Sequence, residues 1–543
     1  MDAAMASKLY FNAKVFTGED EASFVNAFRV SDGRFVWAGN LEDEPESKLE
    51  ADAVDLHGKT VIPGLLETHT HPTYVAQTLS AVACTIPTVT SIADMIEALK
   101  THPNYGKGPD DWIQGWGYDE SKLAEHRTPT REDLDKVSAT QPVYVLRSDV
   151  HSAVVNTRAL EIVGITGSTP DPKGGAFGRD ADGEPNGVLV EFSANAIVRA
   201  VMEKTDFETE VKNLAGVGPY LAQRGYASAT EMLARLEPLN HLDVFRAAAE
   251  KPNGLMQQTC LYVVWKGGSD PFGMPDMPEF MRRGRIKVAG IKLFVDGSIS
   301  GKTAWVSTPY LGCGTTGMCV LDESVLAAAY EYAKRNHLQI SCHVMGDRAI
   351  ERVIGFFNQK EAWLPAPTPS VRLEHATLLS AAHLDSMNAS KMRYGVSTQM
   401  IFGYAESDGY VAALEPDVMK RIYPLKCFCE KMPDLALSSD APATTWNDPE
   451  DAFVSIKAAV TRKAYDGTDL NSQEAITVPQ ALLLYTGRAE HLCPYEVPVG
   501  KIAEGYEANF SVLSDDLFSV PAEDIDKVRI EAFWLAGECV HQR

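Results

Sequence analysis

Between residues 60 and 441, short apolar runs alternate with text of helical period. This constrains the fold more than any other feature of the chain. The runs are TVIPGLLETH (60–69), GYASATEM (225–232), LMQQTCLYVVW (255–265), KVAGIKLFVDG (287–297), LQISCHV (338–344), SVRLEHA (370–376), RYGVSTQM (393–400) and LALSSDA (435–441). Apolar runs that each lead into a helical pattern are the mark of βα units and a parallel sheet. ESVLAAAYEYAKRNH (323–337) is one such helix, with apolar residues at i, i+3 and i+4. Eight βα units predict an α/β protein built as a (β/α)8 TIM-type barrel.

One gap breaks the rhythm. About 160 residues separate the first run from the second, far more than a βα loop needs. We read 75–210 as a mixed α+β insertion after strand one, and expect it to roof the active site, since loops on that face build the sites of such barrels. The two ends carry different text. KLYFNAKVFTG, NAFRVSDGRFVWAGN and DAVDLHGKTVIPG near the start alternate apolar and polar residues between turn signals, and so do VGKIAEGYEANFSVLSDD and VRIEAFWLAGECVHQ near the end. Chain termini commonly lie close together, so residues 1–62 and 491–543 are expected to close into one flanking β-sandwich, with 63–490 forming the barrel and its insertion.

Charge narrows the function. Fifty basic against 74 acidic residues give a net charge of −24, which repels a phosphate backbone and excludes nucleic acid as a natural partner. No run of 18 apolar residues occurs, and the start MDAAMASKLY lacks the layout of a secretion signal, so we expect a cytoplasmic protein without membrane contact. Nine cysteines without a C-x-x-C pair suggest neither a disulfide framework nor a thiolate zinc site; most are expected to be small buried hydrophobes. Cys427 and Cys429 lack the nearby partners a metal would need.

The chemistry-bearing residues stand where barrel chemistry is located, at the carboxyl ends of strands. His69 and His71 close the first run, Lys292 lies in the fourth, and His343, His375 and Asp440 end the fifth, sixth and eighth. Alternate strand residues point the same way, so His69 and His71 should share a side. Each has an ordinary reading alone. A single strand histidine is often a hydrogen-bonded core residue, Lys292 could pair with Asp296, and Asp440 could cap the next helix. Together they form a set of imidazoles, a carboxylate and a lysine suited to one mouth and to Zn2+, Mn2+, Fe2+ or Ni2+.

PGLLETHTHP, GWGYDESK, LRSDVHSAVVNTRAL, GIKLFVDGSISGKTA, CHVMGDRAI, RLEHA and SSDAP span nearly the whole chain. In these texts the sequence resembles the amidohydrolase superfamily, in its YtcJ-like branch, which includes N-substituted formamide deformylases. The resemblance implies one or two divalent ions, Zn2+ first. His69 and His71 would bind the more buried ion, His343 and His375 the second, with Lys292 as an N6-carboxylated bridge and Asp440 as both ligand and base. It also implies that His151 approaches the substrate. Glu67 stands where an aspartate is frequent, and GYEANFSVL where an Ala-Asp pair is usual; neither departure is expected to touch a ligand.

The activity so implied is hydrolysis of a carbon–nitrogen bond other than a peptide bond, an amide or N-formyl group in a small molecule, by metal-activated hydroxide with Asp440 as general base. An ester, lactone or carbamate hydrolase and a ring deaminase would use the same centre. A non-catalytic assembly protein on this fold would be expected to have lost ligands, and here all six positions are filled. Trp112, Trp116, Tyr118, Trp305 and Tyr310 suggest an apolar or aromatic substrate group, with core packing as the alternative. A homodimer is the default assembly.

Overall fold

The run TVIPGLLETH serves two sheets rather than one. Thr60–Pro63 pairs with strands from both ends of the chain, whereas Leu65–Leu66 pairs with Tyr226–Ala234 as the first strand of a parallel sheet. Gly64 makes the transfer: a Cβ there would lie 2.8 Å from Asn509 Cβ and 2.9 Å from Ala227 Cβ, so only a residue without a side chain fits between the two sheets. The computed structural model describes residues 7–43, 53–148, 152–172, 175–202, 206–265 and 271–543. They form two compact units, Met1–Pro72 with Leu214–Ser439 and Glu450–Arg543, and Thr73–Asn213 with Asp440–Pro449.

In the first unit eight parallel strands follow one another in chain order: Leu65–Leu66, Tyr226–Ala234, Gln258–Val264, Ile286–Phe294, Gln339–Val344, Val371–His375, Tyr394–Thr398 and Leu435–Leu437. Six fall within the apolar runs, while Tyr226–Ala234 passes the end of its run by two residues and Ile286–Phe294 starts one residue before its own. Ile286–Phe294 is buried along all but its last residue, as expected of a parallel strand covered on both faces. Helices return the chain between later strands. Asp347–Phe357 buries Ile350, Val353, Ile354 and Phe357, a stripe at i, i+3, i+4 and i+7. Glu323–Asn336 carries Lys334 and Arg335 in its last turn and ends at His337, whose φ of 54° is left-handed.

Both chain ends meet in an eight-stranded sheet. Its hydrogen-bonded order is Glu538–Gln542, Ile530–Leu535, Phe510–Leu513, Thr60–Pro63, Lys8–Phe16, Phe24–Ser31 and Arg34–Gly39, with Val54–Asp55 beside Lys8–Phe16. Aromatic rings fill one face: Phe510 stacks on Trp534 at 4.6 Å and Tyr10 on Phe28 at 5.1 Å.

The second unit has a six-stranded mixed sheet in the order Ala176–Arg179, Pro185–Val190, Ala153–Val155, Val143–Arg147, Ile113–Tyr118 and Val82–Ala83. Asn156 ties strand to helix there. Its buried Oδ1 caps Thr157–Val163 by accepting from Ala159 N at 3.0 Å and also accepts from Val143 N at 2.9 Å. The unit takes in 440–449, a late return that nothing in the sequence signals.

Candidate metal centre

After Leu66 the chain leaves the ladder, bends at His69 and rejoins its neighbour at Thr70, one residue out of step. Thr70 bridges to Glu231, its N–H donating to Thr230 O and its carbonyl accepting from Met232 N, both at 3.1 Å. His69 and His71 flank this pinned residue, both buried, with ring centroids 5.8 Å apart and planes perpendicular. His69 Nδ1 is 2.6 Å from Glu374 Oε2, and His71 Nδ1 is 3.6 Å from Glu231 Oε1.

His375 breaks the alternation of its strand. Consecutive strand residues normally point to opposite faces, yet Glu374 touches His69 while the His375 ring centroid is 4.9 Å from that of His69. His375 has φ 67° and Ala376 φ 50°, and this left-handed kink turns the imidazole back toward the carboxylate's side. Such backbone costs about 1–3 kcal/mol per residue and persists only where its surroundings enforce it. Here Thr398 Oγ1 donates to His375 O at 2.7 Å and His375 Nδ1 meets Gln399 Oε1 at 2.9 Å. Asp440, also left-handed at φ 55°, follows the last strand by three residues.

Among the described residues, the ligand atoms of His69, His375 and Asp440 all lie within 4.8 Å of one another. Glu374 and Gln399 lie against the Nδ1 atoms of the two histidines, which favours the tautomer with its lone pair on Nε2. Two oriented imidazoles beside a carboxylate are the donor set of a divalent ion such as Zn2+, so these residues fit the metal that the motif pattern implies.

The other expected ligands stand close by. His343 packs against His375 with centroids 4.3 Å apart, and its Nε2 lies 3.1 Å from Gly297 O. Lys292 is buried in Ile286–Phe294, with Nζ 5.4 Å from the Phe294 ring, and its charge helps hold Glu374 ionised. His151 lies outside the described residues.

Buried charges behind the histidines were not assigned roles from the sequence, although each interrupts an apolar run. Arg372 grips Glu374 with two parallel bonds, Nε to Oε1 at 2.9 Å and Nη2 to Oε2 at 3.2 Å. Burial alone would raise the Glu374 carboxyl, but Arg372 and then His69 outweigh it and hold it down at about 2. Asp296 is pushed up to about 7 by burial, against backbone N–H groups of Gly346, Met345 and Trp305. These bonds explain the G-D of the CHVMGDRAI text. A Cβ on Gly346 would meet Trp305 O at 2.0 Å, and Asp347 Oδ1 accepts from Ser307 N at 2.7 Å, so both residues fasten the loop after the fourth strand.

Three expectations need correction. Glu67 does touch a ligand: Oε1 accepts from His69 N at 3.1 Å and Oε2 from Ser439 N at 3.2 Å, and burial pushes its carboxyl up to about 8. Fewer cysteines are buried than expected: Cys84, Cys260, Cys342 and Cys493 are, while Cys313 and Cys539 are exposed and the rest half-buried. Trp112 and Tyr118 belong to apolar cores of the second unit, and the Tyr310 hydroxyl donates to Ala304 O, so packing accounts for these three. Trp116 is different. With Tyr74, Gln77, Tyr144, Arg199 and Pro442 it lines a cleft of the second unit.

Residues 52–541 match the profile of a family described as the amidohydrolase family. The putative amidohydrolase YtcJ of Bacillus subtilis (strain 168) is 26% identical over 536 residues, covering 97% of this chain and 98% of its own. The N-substituted formamide deformylase of Arthrobacter pascens is 26% identical over 559 residues, covering 99% of each. A crystal structure described as an uncharacterized metal-dependent hydrolase from Pyrococcus horikoshii OT3 shares the fold with a TM-score of 0.72 at 24% identity, covering 95% of this chain and 99% of that one.

Proposed function

This chain belongs to the amidohydrolase family, and from that premise we propose that it is a metal-dependent hydrolase of carbon–nitrogen bonds other than peptide bonds, cleaving an amide or N-formyl group in a small substrate with an apolar or aromatic portion. The observation that carries the reading is the pair of histidines, each with Nδ1 occupied by its own partner, grouped with the Asp440 carboxylate. The relative named as an N-substituted formamide deformylase supports the bond type. Trp116 and Tyr144 support the apolar portion, because Pro442, two residues after Asp440, lines their cleft.

In this reading the parallel sheet closes as a (β/α)8 barrel, the terminal strands form a flanking sandwich, and the protein is a cytoplasmic homodimer. His69 and His71 would hold the more buried of two ions and His343 and His375 the other, with Lys292, N6-carboxylated, as their shared anion and Asp440 as a further ligand. Zn2+ suits these donors best, and Mn2+, Fe2+ or Ni2+ can replace it. When bound, such an ion polarises a carbonyl and draws the pKa of water from about 15.7 toward 7. Asp440 accepts the proton of the attacking water and delivers it to the leaving nitrogen. His151 donates to the oxyanion as it forms.

The test is metal analysis followed by a panel of N-aryl and N-alkyl formamides, N-acyl amino acids and aryl esters with Zn2+ or Mn2+. At least one ion per chain and fastest turnover of an amide or formamide are expected. Less than about 0.2 metal per chain after metal-supplemented expression, or turnover confined to esters, would overturn the reading. Asp440→Asn should abolish turnover and leave most of the metal bound; unchanged turnover removes Asp440 from the base role.

A further inference from the structure

Behind the histidines lies a sulfur that the chemistry above does not use. Cys493 belongs to the chain after the helix Val478–Leu483, far in sequence from every strand of the parallel sheet, and is buried among Met232, Cys260, Tyr262 and Ala289. Its Sγ accepts an N–H from Arg372 Nη1 at 3.0 Å and lies 3.5 Å from Thr230 Oγ1. Both contacts lead to the same short segment. Arg372 donates to Thr68 O at 2.8 Å and grips Glu374, which meets His69 Nδ1 at 2.6 Å. Thr230 Oγ1 donates to Glu67 O at 2.9 Å.

A buried guanidinium is stable only where its donors are matched, because an unmatched donor carries its full desolvation cost. Glu374 takes Nε and one Nη2 hydrogen, Thr68 O draws on the same Nη2, and the remaining nitrogen, Nη1, has the Tyr262 hydroxyl oxygen at 2.9 Å and Cys493. Tyr262 donates its own proton to Gln339, so its oxygen is free to accept from Arg372. Two acceptors at one nitrogen fix the plane of the guanidinium, and that plane sets the Glu374 carboxylate. The carboxylate in turn selects the His69 tautomer that carries its proton on Nδ1.

We propose that Cys493 is a positioning residue for His69, acting through Arg372 and Glu374 on one side and through Thr230 and the Glu67 carbonyl on the other. Its value for function rests on the reading of His69 as a metal ligand, whereas its effect on the imidazole does not. Loss of a partner behind a ligating histidine costs roughly 10–100-fold in metal affinity, and Cys493 stands two contacts behind that partner, so the lower end, about tenfold, is expected.

The experiment compares Cys493→Ala, Cys493→Ser and Cys260→Ala in the full chain, by Zn2+ titration against a chelator and by 15N NMR of labelled histidine in the metal-free protein, with His69 assigned through His69→Asn. Cys260 is equally buried and hydrogen-bonds Cys493 but not Arg372, so its variant removes packing and one neighbour of the sulfur while keeping the acceptor on Arg372. Cys493→Ala should weaken Zn2+ binding about tenfold and move the His69 ring signals toward a mixture of tautomers. Cys493→Ser, which keeps an acceptor and a donor, should recover most of both, and Cys260→Ala should change neither. Should Cys493→Ala fail to fold, Cys493→Val, which fills the space without an acceptor, takes its place. Unmoved His69 signals in the alanine or valine variant, or equal changes in the Cys260→Ala protein, overturn the proposal. Wild-type protein that takes up no Zn2+ overturns the metal reading instead, and the His69 spectrum still decides this one.

Discussion

Replacing Arg372 by methionine removes a charge and keeps much of the volume, so it isolates what the buried ion pair contributes. Arg372 and Glu374 have side chains 0% exposed and lie 2.9 Å apart at their closest. Removing one partner of such a pair leaves an uncompensated buried charge and costs about 3–5 kcal/mol. The direction of the Glu374 titration agrees: its carboxyl is held down at about 2, and Arg372 is the largest of the groups that lower it, ahead of His69 and Lys292. Arg372→Met should therefore lower the urea unfolding free energy of the metal-free protein by about 3–5 kcal/mol at pH 7. The double variant Arg372→Met with Glu374→Leu should lose less than Arg372→Met alone, because no buried charge is left behind. Circular dichroism along a urea gradient gives all four corners of the cycle. A loss below about 1 kcal/mol for Arg372→Met, or a double variant whose cost equals the sum of the singles, would refute the reasoning.

The same groups set the pH dependence of the metal-free protein. Glu374 is lower folded than unfolded, so its contribution is complete above about 4.5 and is lost as pH falls toward 2; calorimetry should show that acid limb weakened in Arg372→Met. Glu67 is the opposite case, raised folded to about 8, so it costs stability as pH rises from 4.5 through 8; Glu67→Gln should gain on wild type across that range, and a constant difference refutes this. Gly64→Ala should cost about 1–3 kcal/mol in thermal unfolding, since neither Asn509 nor Ala227 can withdraw a backbone-anchored Cβ; a neutral result would mean the two sheets separate there freely. Trp116→Ala should raise KM for an N-aryl formamide about tenfold with metal content unchanged, the loss of one good aromatic contact, and unchanged KM would remove this cleft from substrate binding.

Much of the architecture could be read because of where the strands lie. A parallel strand covered on both faces must be apolar throughout, so eight strands appeared as eight uninterrupted runs, and any ionisable residue inside one stood out. His69, His343, His375 and Lys292 were visible for that reason. Arg372, Glu374 and Glu231 were equally visible but took no role, and Asp296 entered only as a possible partner of Lys292, because a buried carboxylate next to a proposed ligand reads as one side chain too many until its partner is known. That partner lies far off in sequence: Glu374 meets His69 across 305 residues, and Glu67 accepts from Ser439 across 372. Spacing could not reach that far, and so Glu67 passed for a harmless variation.

The sharper failure is one of period. Alternation places Glu374 and His375 on opposite faces of their strand, and on that rule only one of them could meet His69. The left-handed φ of His375 removes the conflict, and nothing in RLEHA announces it, since neither histidine nor the alanine after it favours that conformation as glycine does. The kink persists because Thr398, which ends the next strand, and Gln399, which follows it, hold the His375 carbonyl and Nδ1. A strained turn that aligns a ligand with the carboxylate behind its neighbour is therefore a property of two strands together, and only their pairing in the folded sheet brings it about.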